Sequence, residues 1–167
     1  MLTALPPGLR FGHPAALIAT WFGAGLLPHF PGTWGSLAAL PYGMMILFYA
    51  GKGPLLAAAV VMFVLGKWAA DVYVRHSADQ DPGPVVADEV VGQWLTLLAV
   101  GPGPWWEYVL AFLLFRLFDI LKPWPVNWAE RRFKAGLGVM LDDVFAAAYA
   151  FIFLWMIIYL YNVIYVS

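Results

Sequence analysis

The stretch FLLFRLFDILKPWP, residues 112–125, decides the fold. It is a run of large apolar side chains broken only by Arg116 and Asp119, and it ends at Lys122-Pro123. Three residues apart on a helix, Arg116 and Asp119 share a face. An ionisable pair is costly at hydrocarbon depth and marks a functional position by default. The stretch therefore reads as the end of a membrane helix whose polar pair faces a site. The plainer alternative is an ion pair that serves structure alone.

Composition extends that reading to the whole chain. Of 167 residues, 63% are hydrophobic and only 11% charged, so most of the surface cannot face water. The formal net charge of −1 and the lack of a basic run argue against a nucleic-acid partner. Without cysteine, disulfides, thiolate metal sites and cysteine nucleophiles are excluded. No small-residue cleavage site follows Arg10, so no removable signal peptide is expected and the mature chain is read as beginning near Met1.

Apolar segments at 36–50, 54–74, 85–100, 105–121 and 141–166 predict an all-α, polytopic membrane bundle of about four to five embedded helices. Residues 14–27, PAALIATWFGAGLL, are too few to cross easily and predict an interfacial or re-entrant helix acting as a lid or anchor. With no linker or repeat, residues 1–167 form a single domain. Turns at GKGP (51–54) and GPGP (101–104) make neighbouring helices antiparallel. Tracing the chain places those two turns at one membrane face and 28–35, 75–88 and 122–141 at the other. The second face carries Arg75, Lys122, Arg131, Arg132 and Lys134, which assigns it to the cytoplasm. Trp105, Trp106, Tyr108, Tyr159, Tyr161 and Tyr165 fit an aromatic belt at the opposite interface.

The same tracing returns Asp79, Asp81, Asp88, Glu89, Asp119, Asp142 and Asp143 to the cytoplasmic face. So many carboxylates near hydrocarbon ask for a compensating cation. Oxygen ligands without cysteine or clustered histidine select a hard divalent ion, magnesium first. The plainer alternative is that Asp88, Glu89, Asp142 and Asp143 complement helix dipoles in solvent. Glu89 and Gln93, one turn apart, suggest a polar face lining a cavity. LPHFPGTWGS (27–36) precedes a predicted helix, where Thr33, Ser36 and backbone N–H groups could grip an anion, or merely form a turn and cap. The glycines of KAGLGVMLDD (134–143) either let backbone approach a phosphate or make a flexible loop before a helix start. His13, His29 and His76 show no zinc-ligand or triad spacing and are read as structural or interfacial. Arg131, Arg132 and Lys134 are read as headgroup anchors, with contact to an anionic lipid substrate as the sharper alternative.

Three ordered blocks, FGAGLLPHFPGTWGSLAALP (22–41), DPGPVVADEVVGQW (81–94) and FRLFDILKPWPVNWAERRFKAGLGVMLDD (115–143), resemble the phosphatidylglycerophosphatase A family. The resemblance implies a magnesium-dependent phosphomonoesterase of the bacterial inner membrane, releasing the terminal phosphate of phosphatidylglycerophosphate at a cytoplasmic site. It implies metal ligands among Asp81, Asp88, Glu89, Asp119 and Asp143, and phosphate contacts from Thr33, Ser36, Arg116 and Lys122. Catalytic roles fall to Asp119, Lys122, Asp142 and Asp143, with base and ligand not told apart. Asp142 and Asp143 point about 100° apart on a helix, so one is expected to ligate metal while the other orients water or a lysine. An ion- or proton-coupled transporter using the same acids is the rival reading, and the absence of an internal repeat counts against it.

Overall fold

In the computed structural model, residues 3–79, 82–101, 103–133 and 135–165 are described. Among them there is no strand. Seven α-helices run in the order α1 (Pro14–Ala19), α2 (Pro31–Ala50), α3 (Lys52–His76), α4 (Ala87–Leu97), α5 (Trp105–Leu121), α6 (Val126–Arg132) and α7 (Ala135–Tyr165), with a single 3₁₀ turn at Ala24–Leu26. Two are long and apolar enough to cross a membrane: α3 over Lys52–His76 and α7 over Gly136–Tyr165. Large apolar side chains stand exposed along α2, α3, α5 and α7, among them Phe48, Val64, Leu113 and Trp155. A soluble monomer rarely shows so continuous an apolar surface.

α4 is the axis of the bundle. It packs against α2, α3, α5 and α7, and nine of its 11 residues are buried, as expected of a helix surrounded by others. At about 16 Å it reaches roughly halfway through a bilayer, so the predicted 85–100 segment is a short core helix. Glycine brings its neighbours close. A Cβ at Gly92 would strike the Phe115 ring of α5, and one at Gly43 of α2 would strike Trp94. Where lipid surrounds the helices, close backbone approach is a main source of association. The Trp94 indole N–H donates to the Ala39 carbonyl at 3.0 Å and fixes the register of α2 on α4.

Several predicted boundaries move. α2 begins at Pro31, five residues before the predicted 36, because Pro31 occupies the first helical turn where its missing N–H costs nothing. α7 begins at Ala135 and not at 141, so Gly136 and Gly138 lie within a helix instead of a flexible loop. Gly136 is there for packing: a Cβ would meet the Lys67 carbonyl and Asp71 of α3. Its N–H donates to Asp71 Oδ1 at 2.8 Å, and Asp71 also pairs with Lys67 at 2.8 Å, so one carboxylate caps α7 from the side of α3. α6 lies in what was expected to be a loop. α1 is anchored on α3, since Ala15, Ala16 and Ala19 are fully buried with Ala69, Ala70 and Tyr73.

The back-and-forth path is the expected one. The α2–α3 turn at Gly51 lies at one end of the bundle, and Phe30, Pro31, Gly83, Val85 and Lys122 meet at the other. At the first end Trp106 of α5 meets Tyr161 of α7, ring centroids 5.1 Å apart.

Candidate functional site

At the second end the helix termini enclose a cavity of about 400 Å³. α2 contributes Gly32 and Thr33, α4 Asp88 and Glu89, α5 Arg116 and Asp119, its exit Lys122, and α7 Asp142 and Asp143. Five of the predicted carboxylates therefore converge. Asp88, Glu89 and Asp143 each offer an oxygen within 4.8 Å of the others.

The cations are held in place by acids. Arg116 Nη1 pairs with Asp119 and lies 3.4 Å from Glu89 Oε1, so one guanidinium joins α5 to α4. It also donates to Ser36 Oγ at 3.5 Å, and that hydroxyl donates to the Gly32 carbonyl at 2.9 Å. Ser36 is fully buried and does not line the cavity, so its predicted phosphate contact is corrected: it steadies Arg116. Lys122 reaches Asp142 Oδ2 at 3.0 Å across from α7. Its backbone is left-handed, φ 44°, where α5 ends by handing the Lys122 N–H back to Phe118. Asp142 and Asp143 point apart: Asp142 faces Lys122, and Asp143 turns to Asp88, Glu89 and Asp119.

Three oxygens decide what the cavity can hold. Asp88 Oδ1, Glu89 Oε2 and Asp143 Oδ2 are buried and have no hydrogen-bond partner. Like-charged oxygens so placed repel one another and lack solvation, a combination that a bound cation relieves. The donors are all hard oxygens, which fits magnesium and not zinc.

Other expected residues stand elsewhere. Asp81 and Lys134 lie outside the described residues, as does the side chain of Arg131. Asp79 is exposed and lines, with Tyr73 and His76, a neighbouring cavity that shares Gly83 with the acidic one. Gln93 is fully buried beneath the site and does not line it, so the polar face of α4 stops at Glu89. The anion-gripping backbone is less open than expected, because Thr33 and Trp34 both donate N–H to the Phe30 carbonyl. His13 accepts from the Ala15 N–H and caps α1, a structural role as expected. Gly32 belongs to the site although its local sequence reads as a turn. A Cβ there would fall on the Glu89 carboxylate and within 3.0 Å of the Arg116 guanidinium nitrogens, so only glycine lets α2 close over that pair.

Residues 17–158 match the family profile described as Phosphatidylglycerophosphatase A. The chain belongs to the phosphatidylglycerophosphatase A family. Relatives of that name come from Haemophilus influenzae, 40% identical with 88% of this chain and 90% of the relative covered, and from Escherichia coli, 36% identical with 83% and 80% covered. A Bacteroides thetaiotaomicron relative, 46% identical with 81% of this chain and 88% of its own covered, is named putative phosphatidylinositol-3-phosphatase. No solved structure matches this chain. The family match spans every residue of the acidic cavity, from Gly32 to Asp143.

Proposed function

We propose that this chain is a magnesium-dependent lipid phosphatase of the bacterial cytoplasmic membrane, hydrolysing the terminal phosphomonoester of phosphatidylglycerophosphate to phosphatidylglycerol. The observation that carries this reading is the juxtaposition of three buried, unpartnered carboxylate oxygens with Thr33 and Lys122 in one cavity. Family membership supports the phosphatase reading and disfavours a transporter. Asp88, Glu89 and Asp143 would hold the ion, which supplies Lewis-acid neutralisation of phosphate charge when bound.

The protein's own groups divide the remaining work. Arg116 is committed to Glu89 and Asp119 and fixes those carboxylates, so it acts as a brace more than as a phosphate contact. Lys122, with 29% of its side chain exposed against 14% for Arg116, stands nearer the cavity mouth and can meet a phosphate oxygen from its pair with Asp142. The Gly32 N–H and the Thr33 hydroxyl supply neutral donors at a helix N-terminus. Hydrolysis of a phosphate monoester needs a barrier reduction on the order of 20 kcal/mol or more, beyond any single contact. Preorganisation of several groups on four rigid helices meets that need.

In the membrane, α3 and α7 would cross, α2 and α5 would be embedded beside them, and α4 would enter part-way. Arg75, Lys122 and Arg132 at the site end, against Lys52 at the other, turn the site toward the cytoplasm. Thr33 is the one hydroxyl among the described lining residues, so the cavity recognises phosphate more than the rest of the headgroup. The test is phosphate release from vesicles containing phosphatidylglycerophosphate, with magnesium and with excess chelator. Phosphatidylinositol 3-phosphate serves as the second arm, given the Bacteroides relative's name. Release from the first lipid only with the cation supports the proposal, and undiminished release in chelator overturns the metal role.

A further inference from the structure

The charge around the ion site is too negative for a single divalent cation to prepare it for a phosphomonoester. Asp88, Glu89, Asp119 and Asp143 bring four carboxylates to one wall, and Arg116 answers one of them. The Lys122–Asp142 pair adds nothing net. With the ion's ligands deprotonated, as binding requires, and Asp119 paired with Arg116, three negative charges remain. One divalent ion leaves one of them, and the substrate's terminal phosphate arrives with about −1.5 to −2 more. A second divalent ion makes the wall positive before the phosphate arrives.

Coordination chemistry points the same way. Magnesium is usually held through one or two carboxylates and keeps several waters, so this cluster exceeds what one ion uses. Asp143 is 2% exposed, its Oδ2 has no partner, it offers an oxygen within 4.8 Å of Asp88 and Glu89, and Asp119 is a further neighbouring acid. A carboxylate among several others can bridge paired cations, which in two-metal hydrolytic sites sit roughly 3.5–4 Å apart.

We propose that the cavity binds two divalent cations that share Asp143, one with Asp88 and Glu89 and the other with Asp119. This rests on the phosphatase reading above and deepens it. Asp119 would then be a ligand held in position by Arg116, which explains an arginine placed within an otherwise metal-binding wall.

The experiment is a Mn²⁺ titration of the full chain in detergent micelles, followed by electron paramagnetic resonance, with phosphate release measured on the same preparation. The wild type should take up about two Mn²⁺ per chain, with the bound ions spin-coupled and their six-line signal suppressed. Asp119→Asn should take up about one, uncoupled, with an intact six-line spectrum and the same elution and helical content as the wild type. One isolated ion in an active wild type would overturn the second site while leaving the phosphatase reading intact. Two ions without coupling would overturn the shared Asp143. No bound ion in a preparation that still releases phosphate would overturn the whole metal assignment. Because the stoichiometry is read on the wild type, a variant that fails to fold does not rescue the proposal.

Discussion

Replacing Gly32 by alanine should damage catalysis while leaving the bundle standing. The added Cβ would fall on Glu89 Oε1 and lie 2.9 and 3.0 Å from the two terminal nitrogens of Arg116, where ordinary contact requires about 3.4 to 4 Å. Either the first turn of α2 lifts by the order of 1 Å, or the Glu89 carboxylate rotates away from Asp88 and Asp143. Displacement of that size at a preorganised site costs on the order of a hundredfold in rate. Alanine is the better helix former by about 1 kcal/mol, which offsets part of the steric cost to stability. The assay is steady-state phosphate release from mixed micelles of phosphatidylglycerophosphate at saturating magnesium, beside thermal unfolding of the same sample. A Gly32→Ala enzyme with wild-type kcat and KM would refute the claim that α2 must close over the Glu89–Arg116 pair.

Asp143→Asn should lower kcat by at least about a hundredfold with the helical content unchanged, because it alters a residue facing three other acids. A near-normal rate would remove Asp143 from the site. Asp71→Ala, remote from the cavity, should lower stability by about 1 kcal/mol, or a few degrees in Tm, by uncapping α7. An unchanged Tm would show that the cap is dispensable. The chain has no native cysteine, so single cysteines report sidedness cleanly. Asn127→Cys should be labelled from the cytoplasmic side and Lys52→Cys from the outside, and the opposite pattern would invert the topology.

Much of this was legible in residue order alone. Apolar runs separated by glycine-proline turns set the direction of each helix, and direction alone brings residues 88, 119 and 143 to one end. Helix starts were harder to read for a physical reason. Pro31-Gly32 and Gly136-Leu137-Gly138 carry the local signals of turns, yet tertiary packing overrides them: Gly32 faces Glu89 and Gly136 faces Asp71, partners 57 and 65 residues distant. Local propensity contains no information about a neighbour on another helix. The short length of α4 was hidden likewise, since a buried helix and a spanning one share the same apolar composition. The division of labour between Ser36, which braces, and Thr33, which lines, depends on a rotation within one turn that no motif encodes.

Lys122 closes α5 in a backbone conformation that glycine adopts at no steric cost and lysine adopts at about 1 kcal/mol or more. Lys122→Gly should therefore relax the chain at that junction even as it removes the amine from the cavity. That relief is offset by loss of the Lys122–Asp142 pair, so a residue that strains its own backbone is held there by what its amine does at the cavity.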